Sequence, residues 1–341
     1  MNYKLRFVIE PQKKESKKFS VIIIAYNRRD FLMNAIRSVI NQSVAKDSYE
    51  IICVTNFEVD LSSFINIPIK LVNMNGSIGE FISKAISIST SNYICILEDD
   101  DEFEPTKLEM ILEMEKKVNF DYYKNSMSII NQNGELISKK YEHEIYKEIS
   151  PLIVDLEYYN KVRTTRKTFI LRSFPSTLTF RREVVINYLS DLKRIESEVG
   201  LFLFYKFIDD NKIIVYDTHK TTKYRIHDVS DSSAKDFKKY IIVRKNYIKR
   251  TLKTYNILLL TIKNNKLLKI INYEKSYLEC QYIFFSGKKP NLKLFFNNLF
   301  YLFYANVLSR FLVICIRDVI SIIVSNNFYI KTTFIIDSRN R

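Results

Sequence analysis

Tryptophan is absent from this chain of 341 residues, and glycine (5), histidine (3), cysteine (4) and proline (6) are all scarce. So little glycine leaves no glycine-rich phosphate loop after the first apolar run. The turn there, Asn27-Arg28-Arg29-Asp30, offers arginine but no glycine, and a phosphate cradle needs backbone N–H groups close to the ligand. The cysteines, Cys53, Cys95, Cys280 and Cys315, show no metal-ligand spacing. Cys53 and Cys95 fall inside apolar runs and read as small core residues. The first 18 residues are too polar for a signal peptide, which with the cysteine pattern predicts a reducing, cytoplasmic setting. Long apolar runs are lacking too. A spanning helix needs about 20 apolar residues, whereas the longest charge-free run of the apolar C-terminal stretch, residues 294–309, has 16 and contains three asparagines. Low-complexity tracts and internal repeats are also missing.

What is present is a foldable chain with an uneven charge. Hydrophobic residues make up 47%, with 23 tyrosines and 24 phenylalanines, enough for a full core. The net charge is +15. Residues 1–234 hold 33 Lys+Arg against 33 Asp+Glu, and residues 235–341 hold 20 against 5, so the whole excess lies in the last third. A basic region rich in Phe, Tyr, Leu and Ile predicts an anionic membrane surface rather than nucleic acid, for which no recognised module appears. We expect a helix lying in the membrane interface over residues 292–325, with an ordinary buried helix as the alternative.

Periodicity lays out the elements. Phe19-Ser20-Val21-Ile22-Ile23-Ile24-Ala25 reads as a buried parallel strand, followed by a helix with Phe31, Leu32, Ala35, Ile36, Val39 and Ile40 on one face. Strands are predicted over 49–54, 69–72 and 93–97, a helix around 81–88, and another from Pro105, which suits a first helical turn. Asn133-Gly134 signals a hairpin turn. Short strands are expected at 178–180 and 213–216, with a helix over 199–208 between them. This β-α-β-β-α-β-α order predicts a mostly parallel sheet covered on both faces.

The most informative segment is Tyr93-Ile94-Cys95-Ile96-Leu97-Glu98-Asp99-Asp100-Asp101, an apolar run that stops at four acids. Ligands of open α/β sheets bind beyond the carboxyl ends of the strands. Four acids there repel one another unless a cation lies among them, and a hard divalent metal with phosphate ligands suits the place. The spacing Glu98-x-Asp100-Asp101-x-x-x-Pro105, the opening Ser20-Val21-Ile22-Ile23-Ile24-Ala25-Tyr26-Asn27-Arg28, and Ser38-Val39-Ile40-Asn41-Gln42 after it together resemble family 2 glycosyltransferases. The register Asp99-x-Asp101 stays open. The loop Asn75-Gly76-Ser77-Ile78-Gly79 with Lys84-Ala85, the strand Pro175-Ser176-Thr177-Leu178-Thr179-Phe180-Arg181-Arg182, and Lys223-Tyr224-Arg225-Ile226-His227 extend the resemblance over about residues 19–232.

The resemblance implies a GT-A fold, a Rossmann-like nucleotide-diphospho-sugar transferase domain over residues 19–233. An N-terminal extension (1–18) would precede it and a basic, apolar helical region (234–341) follow it. It implies a nucleotide-diphospho-sugar donor held with Mn²⁺ or Mg²⁺, transfer with inversion, and a glycan or lipid-linked acceptor in cell-surface polysaccharide or glycoprotein glycan synthesis. The basic C-terminal region would place the enzyme at the inner face of the cell membrane. Metal ligands would be Glu98, Asp100, Asp101 and His227. Donor contacts would come from Ala25, Tyr26, Asn27, Arg28, Asn56, Gly79, Lys84, Asp99 and Arg225. Asn56 stands where the family commonly has an acid against the base, and an amide can still pair with a base edge. The acceptor-side base would be Glu198 or Glu196, where the family commonly has Asp. A nucleotidyltransferase and a non-catalytic nucleotide-sugar or glycan binder are the alternative readings.

Overall fold

The computed structural model describes residues 17–64, 67–137, 151–162, 171–227 and 236–288, with Leu294, Ile330, Lys331 and Thr333. Among the described residues, a nine-stranded sheet is built from strands between Phe19 and Arg225. Its first half is parallel, in the order β3 (Ile69–Asn73), β2 (Tyr49–Thr55), β1 (Phe19–Ala25), β4 (Tyr93–Glu98). Helices α1 (Leu32–Ile40) and α2 (Ile78–Ile88) make crossovers, as the helical spacing predicts. Every residue of β1 and β2 is buried, which is why these strands read as continuous apolar runs rather than alternating ones. Their side chains still sort by parity. Ile22, Ile24, Ile52, Val54, Ile94 and Ile96 pack with α2 and α5 (Val199–Asp209). Val21, Ile23, Ile51, Cys53, Cys95 and Leu97 pack with α1 and α3 (Lys107–Lys117). Cys53 and Cys95 are thus core residues, as expected.

Beyond β4 the sheet becomes mixed. β8 (Leu178–Arg181) joins β4 antiparallel, β6 (Tyr122–Ile130) joins β8 antiparallel, and β9 (Ile214–Arg225) lies parallel to β6. The two-residue β5 (Glu102–Phe103) and the three-residue β7 (Leu152–Val154) both pair with β9, and the short helix α4 (Leu156–Val162) follows β7. The chain reverses after β6 at Asn131–Glu135, with Gly134 at φ 85°, where the Asn-Gly pair signals a turn. Strand β9 is 12 residues long, far longer than the expected stretch at 213–216. Its second half, Asp217-Thr218-His219-Lys220-Thr221-Thr222-Lys223, is polar, and its register against β6 slips between Asn125 and Met127. A polar, bulged strand has no clean period of two to read.

Two long helices follow, α6 (Phe237–Thr261) and α7 (Asn265–Phe285). Asp236 caps α6 through the Lys239 N–H at 2.8 Å, and Asn264 caps α7. The two helices pack on the sheet domain. Tyr255, Leu258, Leu267, Ile270 and Ile271 share one core with α2 and α5. Among the described residues no helix is long and apolar enough to cross a membrane. The apolar stretch 292–325 lies outside the described residues apart from Leu294.

Candidate active site

Register places the site. Ala25 pairs with Thr55, and Ile24 pairs with Glu98, so β1, β2 and β4 all end at one edge of the sheet. The residues just past those ends therefore meet in space. Asn27 takes a left-handed conformation, φ 57°, which asparagine tolerates better than most residues. Its N–H donates to Asn56 Oδ1 at 2.9 Å, and Asn56 Nδ2 donates back to Asn27 Oδ1 at 2.6 Å. These two amides tie the ends of β1 and β2 together. Beside them opens a cleft of about 450 Å³ lined by Asn27, Arg28, Arg29, Asp30, Asn56 and Phe57. The Arg29 guanidinium lies over the Phe57 ring at 4.9 Å. Tyr26 is half exposed and meets Phe81 edge-on at 5.7 Å.

The acid run is organised by cations. Arg28 Nη2 lies 2.6 Å from Asp99 Oδ1 and 2.7 Å from Asp100 Oδ2, and its Nε donates to Asp99 Oδ2 at 3.0 Å. His227 Nε2 lies 3.0 Å from Asp100 Oδ2 and 3.0 Å from Arg28 Nη1. Nε2 can accept from the Arg28 guanidinium or donate to the Asp100 carboxylate, but not both at once. Asp100 Oδ2 and His227 Nε2 thus face one another beside the guanidinium of Arg28. Burial pushes the Asp99 carboxyl up to about 6, against the hydrogen bonds of Arg28, which pull it down. Burial and the neighbouring acids also hold Glu98 and Asp101 well above the usual carboxylate range.

Asp101 is turned away from this cluster. Its Oδ1 accepts the Arg225 N–H at 2.9 Å, and its buried Oδ2 has no hydrogen-bond partner among the described residues. Arg225 is 1% exposed and its guanidinium is committed within the protein. Nε donates to the Asp100 carbonyl at 2.8 Å, Nη1 to the carbonyls of Asn131 and Gln132, and Nη2 pairs with Glu102. In this arrangement Arg225 shapes the backbone of the acid run, and Arg28 is the arginine that faces the cleft.

Two buried lysines support the same loop. Lys107 Nζ donates to Asn125 Oδ1 at 2.9 Å, the Ser176 carbonyl at 2.7 Å and Thr222 Oγ1 at 2.9 Å. Burial pushes its ammonium down to about 7. Lys124 donates to the Ser173 carbonyl at 2.6 Å and to the Thr177 hydroxyl. Together they pin the turn Pro175–Thr177, whose Ser176 hydroxyl accepts the Glu98 N–H at 3.0 Å. The sequence reading missed both lysines. One signal was available for Lys107, which shares the apolar stripe of Leu108, Ile111 and Met114.

The remaining expected residues make other contacts. Ala25 is buried at the end of β1. Gly79 is buried in α2, its N–H bonded to the Ile195 carbonyl at 3.1 Å. Lys84 is exposed on α2. Glu198 stands at the start of α5 in a left-handed conformation, φ 59° and ψ 44°, and its Oε1 accepts the Tyr247 hydroxyl at 2.7 Å. Glu196 pairs with Lys253 at 2.6 Å, both partly exposed.

The model of glycosyl transferase family 2 matches residues 20–188, which carry β1, the acid run and β8. This chain belongs to glycosyl transferase family 2. A poly(ribitol-phosphate) beta-glucosyltransferase from Bacillus spizizenii is 32% identical over 95 residues, which is 25% of this chain and only 15% of that enzyme's length. The fold of residues 1–349 of S. aureus TarS is similar, with TM-score 0.54 and 16% identity over 92% of this chain and 89% of the other. The same TarS segment in complex with UDP-GlcNAc matches at TM-score 0.53 and 14% identity over the same shares. The likeness to TarS is one of fold, consistent with the GT-A expectation. Glu198, Arg225 and His227 lie beyond the segment that the family model matches.

Proposed function

We propose that the protein transfers a sugar from a nucleotide-diphospho-sugar to an acceptor hydroxyl in cell-wall polysaccharide synthesis, with a divalent metal and inversion at the anomeric carbon. The observation that carries the reading is the Arg28–Asp99–Asp100–His227 cluster beside the cleft at the ends of β1 and β4. Asp100 and His227 fit a Mn²⁺ or Mg²⁺ ion, since oxygen and imidazole nitrogen converge there. Among the described residues no group of three or more His, Cys, Asp or Glu is arranged to hold a metal, so the donor's phosphates would have to supply the remaining ligands. Such an ion, when bound, neutralises the charge that grows on the leaving diphosphate.

In this reading Asn27 and Asn56 meet the edge of the base, Tyr26 its face, and Arg28 and Arg29 the diphosphate. Arg28 would exchange its carboxylate partners for phosphate oxygens as the donor enters. Glu198 takes the proton of the acceptor hydroxyl. The acceptor oxygen forms the new bond to the anomeric carbon as the bond from that carbon to the diphosphate breaks, and the nucleoside diphosphate leaves with the electron pair. The TarS complexes with UDP-GlcNAc and UDP favour a UDP-sugar. The relative's poly(ribitol-phosphate) substrate favours a polyol phosphate polymer as acceptor. An anionic polymer also suits the basic C-terminal third, as does attachment at the inner face of the membrane.

Calorimetric titration of UDP-, GDP- and dTDP-sugars, each with and without Mn²⁺ or Mg²⁺, tests the reading. One nucleotide class should bind in a metal-dependent way, and Asp100→Asn should remove at least tenfold of that affinity. Binding that is unchanged by metal, or by Asp100→Asn, would overturn the metal site.

A further inference from the structure

One helix grips the loop that carries Glu198 at three consecutive residues. From α6, the Tyr247 hydroxyl donates to Glu198 Oε1 at 2.7 Å and the Thr254 hydroxyl to the Ser197 carbonyl at 2.8 Å, while Lys253 Nζ lies 2.6 Å from Glu196 Oε1. The loop is also confined from the other side. A Cβ on Gly200 would fall 2.4 Å from the Arg172 carbonyl oxygen, so the backbone passes there at closest approach. Between these supports Glu198 holds a left-handed backbone. A non-glycine residue keeps such a conformation only where its surroundings over-determine it, and such positions concentrate at active sites.

Packing alone does not explain Tyr247. Its ring packs beside the core of Tyr240, Ile248 and Phe284, and the Arg244 guanidinium covers it at 5.3 Å. Phenylalanine would fill that place equally well. The hydroxyl adds a charge-assisted bond to one oxygen of Glu198, a kind of bond about twice as strong as a neutral one. Burial, and then the adjacent Glu198, hold the phenol above its ordinary range, so it stays a donor at working pH.

We infer that Tyr247 is a positioning residue for the acceptor-side base, holding Glu198 by one carboxylate oxygen and presenting the other to the acceptor hydroxyl. This rests on Glu198 being the base. It makes α6, which lies outside the matched family segment, a working part of the active site. A carboxylate freed to rotate would spend less time in the productive geometry, and misplacement of this kind costs roughly 10- to 100-fold in rate.

The test compares Tyr247→Phe, Glu198→Gln and the double variant, with UDP-GlcNAc as donor and poly(ribitol phosphate) as acceptor. Donor binding is followed by calorimetry and folding by thermal unfolding. Tyr247→Phe should lower kcat about tenfold or more, with the donor's Kd and KM unchanged. Glu198→Gln should bind donor and lose transfer, and adding Tyr247→Phe to it should slow the residual rate no further. If Glu198→Gln is inactive but Tyr247→Phe turns over at the wild-type kcat, the positioning role is wrong and the base stands. A Tyr247→Phe variant that loses donor affinity and thermal stability in step with kcat also overturns it, since the hydroxyl would then be structural. If Glu198→Gln transfers at the normal rate, the base itself is wrong and the inference falls with it.

Discussion

Glu50 is 3% exposed, yet it persists as a carboxylate because it is surrounded by donors. Ser20 Oγ and the Thr90 N–H each donate to Oε1 at 2.7 Å, and Lys70 Nζ meets Oε2 at 2.7 Å. Burial pushes this carboxyl up, but Lys70, Ser20 and Thr90 outweigh it and bring it down to about 2. One side chain thereby ties β1, β2, β3 and the approach to β4. A group held below its unfolded value contributes stability that is complete above the ordinary carboxylate range and is lost as pH falls towards the folded value. Stability should therefore decline between about pH 4.5 and 2, and Glu50→Gln should flatten that decline. At neutral pH the same substitution should cost about 2 kcal/mol, measured by urea unfolding. At this scale much of the site was legible. Resemblance to family 2 glycosyltransferases singled out Tyr26, Asn27, Arg28, Asn56 and the acids, and Arg28, Asp99, Asp100 and His227 do meet. Which of the two arginines faces the cleft was not legible, because the partners of Arg225 come from Asn131, Gln132 and Glu102, remote or unremarkable in sequence.

Elements were legible where burial imposes a period. β1, β2, β4, α1 and α2 appear close to their expected bounds, because each strand presents one face to each of two cores and each helix one face to a single core. Strand β9 escaped for the opposite reason, since half of it is polar and its register slips. Gly79 marks a contact between elements that periodicity does not report. A Cβ there would lie 2.0 Å from the Leu192 carbonyl oxygen and 2.6 Å from that of Ile195, both backbone atoms that cannot swing aside. Gly79→Ala should therefore destabilise the protein by about 3 kcal/mol through overpacking. The loss would appear as a lower denaturation midpoint with an unchanged denaturant slope. A stability within about 0.5 kcal/mol of wild type would mean that α2 and the 192–198 loop can part without cost.

For the whole molecule, the question is how the basic helices join the sheet domain. They are locked on by a buried polar cluster. Arg172 Nη1 lies 2.9 and 2.8 Å from the two oxygens of Glu274, and the Tyr205 and Tyr255 hydroxyls donate to Glu274 Oε2 at 2.8 and 2.7 Å. Tyr159 adds its hydroxyl to that of Tyr205 at 2.5 Å. Removing one member strands the other charge, which costs about 3–5 kcal/mol. Glu274→Leu should therefore loosen α6 and α7 from the domain. Limited proteolysis should then cut within residues 236–288 before the sheet domain, whereas wild type should resist there.

The parallel half of the sheet, its crossover helices and the place of the acid run can all be read from consecutive residues. Strand burial, helical spacing and charge are all local properties written in consecutive residues. The division of charge into a balanced part and a basic part was likewise plain from composition. Folding is what brings Arg28 among the acids as their cation, buries two lysines beneath them, and carries Tyr247 to Glu198. Each of these joins residues about 50 to 200 positions apart or hides a charge in the core. No local pattern encodes such a contact. It follows from register between strands and from the docking of helices, which the balance of the whole fold sets.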